Sequence, residues 1–500
     1  MRASERSRRQ VALWLLCTAS LMIILDGTIV TVALPSIQRH LGFSAPALSW
    51  VMDGYLIAFG SLLLLAGRLG DLIGRKRIFL AGLGTFVTAS LLCGLSTGPA
   101  MLIAARFAQG VGGAMVSAVS LGMIVTLFPD PREQARAIGA FSFVGAAGAS
   151  IGLVAGGVLT QMVGWQSIFY VNVPVGVAAW VLAVRVLDAD SGTGLRNGAD
   201  WLGAGLVTAG LMLGVFAIVA TTRAGWGSAQ TLLTAAAAVG LIAAFVARQA
   251  TASSPLLPLR ILAVRNVTGA NLAQVLVIAA AFGFQVIITL YMQRVLGYGP
   301  AASGLGLLPT AVVIGAVALG LSARIAARFG PRAMLLAGLL LIATALALLA
   351  RAPAHAGYLP YLLSPLLIFG VGGGLTLPAL ALLGMSAATP RDAGVASGLF
   401  NTTQQIGAAL GVAVLSTLAA ARSRSVHPAG AATALAAGYH LAFAVGAGLA
   451  VAAIMAAAVV LQRRTYGRPD RRRLVPGTSG LRGTSSPARA TTQATDGSRE

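Results

Sequence analysis

Long apolar runs separated by short polar segments make up most of the chain. A helix needs about 20 apolar residues to cross a hydrocarbon core ~30 Å thick, and fourteen runs approach or exceed that length. They lie at residues 11–35, 47–66, 78–97, 101–127, 137–162, 168–187, 201–222, 230–250, 267–290, 301–322, 333–350, 359–383, 393–419 and 438–461. The pattern therefore predicts an all-α membrane protein with fourteen transmembrane helices, here called spans 1 to 14.

The basic residues predict the orientation of these spans. Connections on one side of the membrane hold most of the 35 lysines and arginines, and such an excess marks the cytoplasmic side. The opposite connections hold only Arg39, Arg223, Arg294, Arg351, Arg422 and Arg424. We therefore expect both termini in the cytoplasm. Frequent arginine, alanine and glycine with a single lysine are typical of a GC-rich bacterial gene, which predicts the bacterial cytoplasmic membrane.

The composition excludes a soluble protein and argues against nucleic-acid binding. Charged residues make up 10% of the chain, against about 25% in soluble domains. The net charge of +22 comes from short clusters between spans, not from one continuous basic face. Residues 462–500 are rich in Arg, Ser, Thr, Gly and Pro. We expect them to form a disordered basic cytoplasmic tail that contacts anionic lipid.

Two similar segments indicate an internal repeat. Residues 67–77 follow span 2 and residues 323–332 follow span 10, with Gly74 and Gly330 at corresponding positions. The sequence therefore predicts a cytoplasmic N-terminus (1–10), an N-terminal six-helix half (11–190), two additional helices with flanking loops (191–265) and a C-terminal six-helix half (266–461). Parallel repeats of this kind are typical of transporters, with the substrate site between the halves.

Six segments carry a family resemblance. They are residues 25–35 in span 1, 67–77 after span 2, 102–110 in span 4, 165–176 in span 6, 200–203 before span 7 and 394–412 in span 13. In this order they resemble motifs of the major facilitator superfamily, in particular of its fourteen-helix drug:proton antiporters. The resemblance covers residues 10–460. It implies the major facilitator fold and proton-driven efflux, by alternating access, of small, largely apolar or cationic compounds such as drugs, antibiotics or related metabolites.

Span 5 departs from that family's pattern. The antiporters carry a Gly-Pro pair followed by Gly-Gly, and this chain has Leu153 at the position of the proline. The proline would kink the helix, and the motif marks exchangers. A proton symporter or facilitator that imports a small metabolite in the same fold therefore stays an alternative.

Charged residues inside the spans are candidates for proton coupling. Asp26 lies roughly 25 Å along a helix from Arg9, and a carboxylate at that depth is costly unless it faces water, has a partner or is protonated. Arg106 in span 4 keeps its charge, so Asp26 is its expected partner. Asp53, early in span 2, either lines the same vestibule as Asp26 or lies in interfacial water. A purely structural ion pair is the competing interpretation.

The segment after span 2 is a candidate gating loop. Its matching residues are Gly67, Asp71, Gly74, Arg75 and Arg77. We expect Asp71 to cap the N-terminus of a helix in the other half and Arg75 to pair with Asp130. Such contacts would keep the cytoplasmic end closed. The competing interpretation is that the arginines only orient the protein in the membrane.

Amide side chains in the predicted C-terminal half are candidates for a substrate cavity. They are Asn271, Gln274 and Gln285 in span 9 and Asn401 and Gln405 in span 13. Helical spacing places Asn401 and Gln405 on one face. These amides either bind polar groups of a substrate or join neighbouring helices.

Motifs of other functional classes are absent from the sequence. Lys76 is the only lysine and lies in no GxxxxGKS or GxxxxGKT sequence, so ATP-driven transport by this chain is not expected. The sequence also lacks HExxH and CxxC motifs, which argues against those metal and redox sites. We therefore predict a transporter without catalytic residues, cofactor or metal, which acts as a monomer on a small-molecule substrate and protons.

Overall fold

A computed structural model describes residues 2–190, 192, 194, 200–252, 254–353, 357–389, 391–425 and 431–461, apart from some side chains within the helices. Every regular element in these ranges is helical. The predicted tail at 462–500 and most of the connection at 191–199 lie outside the described residues.

The helices follow one another with short connections. In chain order they are α1 (Arg2–Leu41), α2 (Ala45–Leu48), α3 (Trp50–Ile73), α4 (Arg75–Gly94), α5 (Pro99–Leu127), α6 (Pro131–Met162), α7 (Ser167–Tyr170), α8 (Asn172–Val186), α9 (Trp201–Ala224), α10 (Ala229–Thr251), α11 (Leu259–Ala263), α12 (Arg265–Arg294), α13 (Pro300–Gly320), α14 (Ser322–Leu349), α15 (Ser364–Gly384), α16 (Ala393–Ser425) and α17 (Ala431–Val460). A π-helical turn at Tyr358–Leu363 leads into α15.

All fourteen predicted spans fall on helical segments, of which span 6 comprises α7 and α8. Within the described residues, 13 helical segments are long and apolar enough to cross a membrane, and they correspond to every span except span 5. Span 5 lies in α6, whose 32 residues extend about 48 Å at 1.5 Å per residue. That length exceeds a hydrocarbon core of ~30 Å. The all-α membrane fold predicted from the sequence is confirmed.

Two glycines interrupt the backbone at corresponding points of the repeated segments. Gly74 has a φ of 106° between α3 and α4, and Gly330 has a φ of 82° within α14. Glycine adopts positive φ without the steric cost that a Cβ atom imposes. The break at Gly330 divides α14, and the predicted span 11 lies in the part after the break.

The described helices belong to one compact unit. α3 and α5 pack against α16, and α6 packs against α13, so helices of the predicted N-terminal half contact helices of the predicted C-terminal half. The additional helices α9 and α10 form a hairpin, of which α9 contacts α3 and α16. α10 exposes large apolar side chains, including Leu233 and Val239, as a helix facing lipid does. The residue boundaries of the two halves stay a prediction.

Asp200 holds the additional hairpin together at one end. Its Oδ1 accepts a hydrogen bond from Gly203 N over 2.9 Å and caps α9. Gln249 Nε2 donates to Oδ2 over 2.8 Å, and Arg248 Nε lies 3.2 Å from Oδ1. Burial opposes ionisation of this carboxyl, but these hydrogen bonds outweigh burial and lower the pKa of Asp200. The ionised carboxylate therefore joins α9 to α10.

Candidate functional site

Asp26 and Arg106 form an ion pair inside the predicted N-terminal half. Asp26 lies on α1 and Arg106 on α5. Arg106 Nη1 lies 2.5 Å from Asp26 Oδ2, and both side chains are 0% exposed. At an intermediate dielectric constant such a pair attracts by several kcal/mol. This pairing is the one that the sequence predicts.

Three neutral polar side chains, Gln109, Asn172 and Ser90, form a hydrogen-bond network around the pair. Gln109 Nε2 and Asn172 Nδ2 donate to Asp26 Oδ1 over 2.8 and 3.0 Å. Gln109 Oε1 also accepts from Arg106 Nη1 over 2.7 Å. Ser90 Oγ accepts from both amides, each over 3.1 Å. All three side chains are buried, so the ion pair is one part of a buried polar network.

The sequence interpretation did not assign Gln109, Asn172 and Ser90 to the site. Gln109 follows Arg106 by one turn of α5, and side chains three apart share a helix face. That spacing was a usable signal. Asn172 on α8 reaches Asp26, and Ser90 on α4 reaches the two amides, only through tertiary packing. Asn172 lies in the motif at residues 165–176, but nothing in its spacing from Asp26 indicates the contact.

Aromatic rings and a backbone carbonyl surround the guanidinium. Arg106 Nε donates to Val51 O over 3.0 Å. The guanidinium carbon lies 4.3 Å from the ring centre of Tyr55 and 5.9 Å from that of Phe169, where a cation is attracted by the ring. Arg106 Nη2 is buried and has no hydrogen-bond partner among the described residues. The guanidinium thus keeps one donor nitrogen, with its two N–H groups, unused.

Asp53 lies apart from this ion pair. It has no hydrogen bond or ion pair with Asp26 or Arg106, whose partners are given above. Instead it lines a cavity of about 170 Å³ between α3 and the α9–α10 hairpin. The other lining residues are Trp50, Phe216, Val219, Ala220, Ala224 and Gln230. Asp53 therefore belongs to the junction of span 2 with the additional helices.

Asp71 caps the N-terminus of α16, a helix of the predicted C-terminal half. Its Oδ1 accepts from Gly394 N and its Oδ2 from Val395 N, both over 2.8 Å. The Asp71 side chain is 0% exposed. The free N–H groups and the dipole at a helix N-terminus favour a carboxylate. The expected cap is present and joins α3 to α16.

Glycines allow α3 and α16 to approach this closely. A Cβ atom added at Gly67 would meet the carbonyl oxygen of Gly394. One added at Gly398 would lie 2.7 Å from the carbonyl oxygen of Leu63. Any larger residue at these positions must push the two helices apart, because backbone atoms stand in the way.

Arg75 pairs with a different acid from the one predicted. Its Nε and Nη2 lie 3.1 and 3.0 Å from Asp71 Oδ1. Asp130 instead caps α6, where its Oδ1 accepts from Arg132 N and Glu133 N. The predicted Arg75–Asp130 pair is therefore wrong. Asp130 directly precedes Pro131, and a carboxylate at this position satisfies the free N–H groups of its own helix.

Asp190 is a further residue of the loop that the sequence interpretation missed. Its Oδ2 accepts from Arg75 N over 2.8 Å and its Oδ1 from Lys76 N over 3.2 Å, so it caps α4. A Cβ atom added at Gly74 would meet the carbonyl oxygen of Asp190, which gives Gly74 a second reason to be glycine. Arg77 is exposed, and its Nη1 donates to Ile73 O over 3.4 Å.

Three of the five candidate amides join helices to one another. Asn271 Oδ1 accepts from Thr403 Oγ1 over 2.8 Å, and Gln274 Nε2 donates to Phe400 O over 2.6 Å, so α12 is bonded to α16. Asn401 Nδ2 donates over 3.2 Å to a backbone oxygen of α5.

Some polar atoms of the candidate amides have no hydrogen-bond partner among the described residues. Gln285 and Gln405 are half-buried, and their side chains make no hydrogen bond among the described residues. Gln274 Oε1 is buried without a partner in the same set. Within the described residues, Gln285 and Gln405 therefore form no side-chain hydrogen bond between helices.

Comparisons with known proteins agree with this architecture. The family model of the Major Facilitator Superfamily matches residues 16–412. The chain is 38% identical to a cephamycin export protein of Amycolatopsis lactamdurans, over 83% of this chain and 86% of the relative. It is 35% identical to a puromycin resistance protein of Streptomyces alboniger, over 92% of each chain. A probable actinorhodin transporter of Streptomyces coelicolor is 37% identical over 82% of this chain and 72% of the relative.

A solved structure supports the fold independently of these relatives. The human organic anion transporter MFSD10 superposes with a TM-score of 0.65 at 14% identity, over 90% of this chain and 99% of that one. Identity this low bears on the fold alone. Together with the family match and the relatives, it confirms the resemblance predicted from the motifs: this chain belongs to the Major Facilitator Superfamily.

Proposed function

We propose that the protein exports small, largely apolar or cationic compounds in exchange for protons. The observation that carries this proposal is the buried Asp26–Arg106 pair, in a chain whose relatives include proteins named for the export of, or resistance to, antibiotics. We assign the chain to the bacterial cytoplasmic membrane as a monomer with both termini in the cytoplasm. Its substrates would be antibiotics or related metabolites.

The ion pair gives a physical route for proton coupling. Ionised Asp26 is bound to Arg106 and holds α1 against α5. A proton on Asp26 removes the negative charge that attracts Arg106. The N–H groups of Arg106, including those of Nη2, can then donate to another acceptor. A proton thereby changes the relative free energies of two conformations, which is what coupling to alternating access requires. Asp53, in its cavity beside α9 and α10, is the alternative coupling carboxylate.

The Asp71 cap is a contact that the proposed conformational change must break and form again. While the carboxylate accepts from Gly394 N and Val395 N, α3 and α16 are held together at the predicted cytoplasmic end. Export requires this end to open for substrate entry and to close for release on the other side. On α12 and α16 of the predicted C-terminal half, Gln274 Oε1, Gln285 and Gln405 are the polar groups that we assign to substrate binding.

Inverted membrane vesicles test the proposal directly. Vesicles with an acidic interior should accumulate puromycin or a fluorescent cationic dye, and a protonophore should abolish the accumulation. Asp26→Asn should lose the gradient-driven component while keeping substrate binding. Transport unaffected by the gradient would contradict proton coupling.

An importer is the second candidate, because Leu153 replaces the proline of the exchanger motif. α6 is continuous through this position. The same vesicles distinguish the two functions. A symporter moves substrate in the same direction as protons, and a facilitator moves it down its own gradient alone.

A further inference from the structure

Every described hydrogen-bond partner of the Asp26 carboxylate is a donor. These donors are Arg106 Nη1 at 2.5 Å from Oδ2, and Gln109 Nε2 and Asn172 Nδ2 at 2.8 and 3.0 Å from Oδ1. We call these three groups the donor cage. An ionised carboxylate can only accept hydrogen bonds, whereas a protonated one needs an acceptor for its own proton. The donor cage offers none.

Other contacts fix the orientation of both amides. Ser90 Oγ donates to Phe169 O over 2.9 Å, which leaves it to accept from Gln109 and Asn172. Gln109 Oε1 faces Arg106 Nη1. Turning either amide would place its carbonyl oxygen against the carboxylate and leave a buried donor unpaired, which is costly. The assignment of N–H groups toward Asp26 therefore follows from the whole network.

Among the residues that the structure describes, the ionisable groups that interact electrostatically with Asp26 come from three helices. They are Arg106 on α5, Tyr55 on α3 and Cys93 on α4. α6 and α8 have no ionisable residue between positions 137 and 162 or between 171 and 184. Phenols and thiols are ordinarily neutral near pH 7. Asp26 is thus the carboxyl of this cluster of described residues.

We propose that Asn172 and Gln109 are positioning residues, which hold Asp26 as its anion in this conformation and so set the pH at which the transport cycle takes up a proton. The proposal rests on the proposed proton-coupled transport and names residues that tune it. A proton arriving at Asp26 has no acceptor in the donor cage. The neutral acid therefore breaks contacts that join α1 to α5 and α8.

Infrared spectroscopy on the purified full chain tests the donor cage without knowledge of the substrate. The C=O stretch of a protonated carboxyl is followed across a pH titration, and the band missing from Asp26→Asn is assigned to Asp26. Asn172→Leu removes the amide donor and keeps the branching of the side chain at Cγ. Because a hydrogen bond to the charged form is lost, the midpoint of the Asp26 band should rise by about one pH unit, a tenfold change.

Two further variants keep the test decisive. Asn172→Asp is nearly isosteric, so it serves where Asn172→Leu does not fold. In this variant the carboxyls of Asp26 and of the new side chain titrate as a pair. One of the two should keep its proton to a higher pH than the Asp26 carboxyl does in the wild type. Ser61→Ala is the matched control, because Ser61 is buried and its hydroxyl donates only within α3. It should leave the midpoint unchanged.

The outcomes separate this proposal from the proposed function. An unchanged or lowered midpoint in Asn172→Leu, or in Asn172→Asp if the first variant does not fold, overturns the donor cage. A raised midpoint supports it. Dye transport by vesicles of the wild type is measured in parallel. If the midpoint rises in Asn172→Leu but the wild type shows no gradient-driven transport, the donor cage is supported and only the proton-coupled function is overturned.

Discussion

Asp71→Asn removes the charge that caps α16 while nearly preserving the size of the side chain. Each Asp71 oxygen accepts one backbone N–H over 2.8 Å, and a hydrogen bond to a charged group contributes ~1.5–3 kcal/mol. The amide keeps one acceptor and turns an N–H group toward the other donor. The side chain is 0% exposed, so solvent does not screen the loss. We expect the closed arrangement of α3 and α16 to lose about 2 kcal/mol, roughly a 30-fold lower ratio of closed to open.

Pulsed electron paramagnetic resonance measures this ratio. Spin labels at Arg136 and Thr389, both exposed, report the distance between α6 and the segment before α16 in a variant whose buried Cys17 and Cys93 are replaced by alanine. The wild type should show a dominant short distance, and Asp71→Asn a substantial longer population.

Asp130→Asn is the matched control for this experiment. Asp130 caps only its own helix, so its replacement should leave the distance distribution unchanged. An Asp71→Asn distribution identical to that of the wild type would refute the reasoning, because the cap would then not hold the two helices together.

Three further predictions concern packing, topology and pH. Gly398→Val should shift the same distance distribution toward the open form, because its side chain meets the Leu63 carbonyl oxygen; an unshifted distribution would show that the helices already separate there. With an impermeant thiol reagent, intact cells should label a cysteine at Ser228 and spare one at Ala189, whereas the reverse pattern would invert the topology. Asp200→Asn should lower the unfolding temperature at neutral pH. The difference should shrink as the pH falls below the ordinary aspartate value of 3.8 and vanish once the pH is below the lowered folded-state pKa, because such a carboxyl stabilises the fold only while ionised; a difference that persists at that pH would point to packing instead.

The fold followed from the sequence because its signals are local and repeated. An apolar run of about 20 residues identifies a span by itself. The glycine at position 330 repeats the one at position 74, and both have positive φ. Asp26 and Arg106 were paired correctly for a similar reason. Each is a charge at membrane depth, and few partners are available there.

The details of the site depend on tertiary contacts that opposite charge alone does not specify. Opposite charge predicts that Arg75 pairs with Asp130. In the structure Asp130 caps its own helix, and Arg75 pairs with Asp71, four residues earlier in the chain. Asn172 approaches Asp26 from a helix 146 positions later. The position of Asp53 early in span 2 predicts either the same vestibule as Asp26 or interfacial water, and the structure adds a cavity that Asp53 lines with the additional hairpin.

Proton release on substrate binding tests the central claim, that Asp26 couples proton movement to export. Purified protein in weakly buffered detergent solution is mixed with a compound that the vesicle assay identifies as a substrate, and a pH-sensitive dye reports released protons. At a pH below the midpoint of the Asp26 infrared band, the account predicts release from the wild type and none from Asp26→Asn, which still binds the compound. Undiminished release from Asp26→Asn would contradict the account and move the coupling carboxylate elsewhere, with Asp53 the next residue to test.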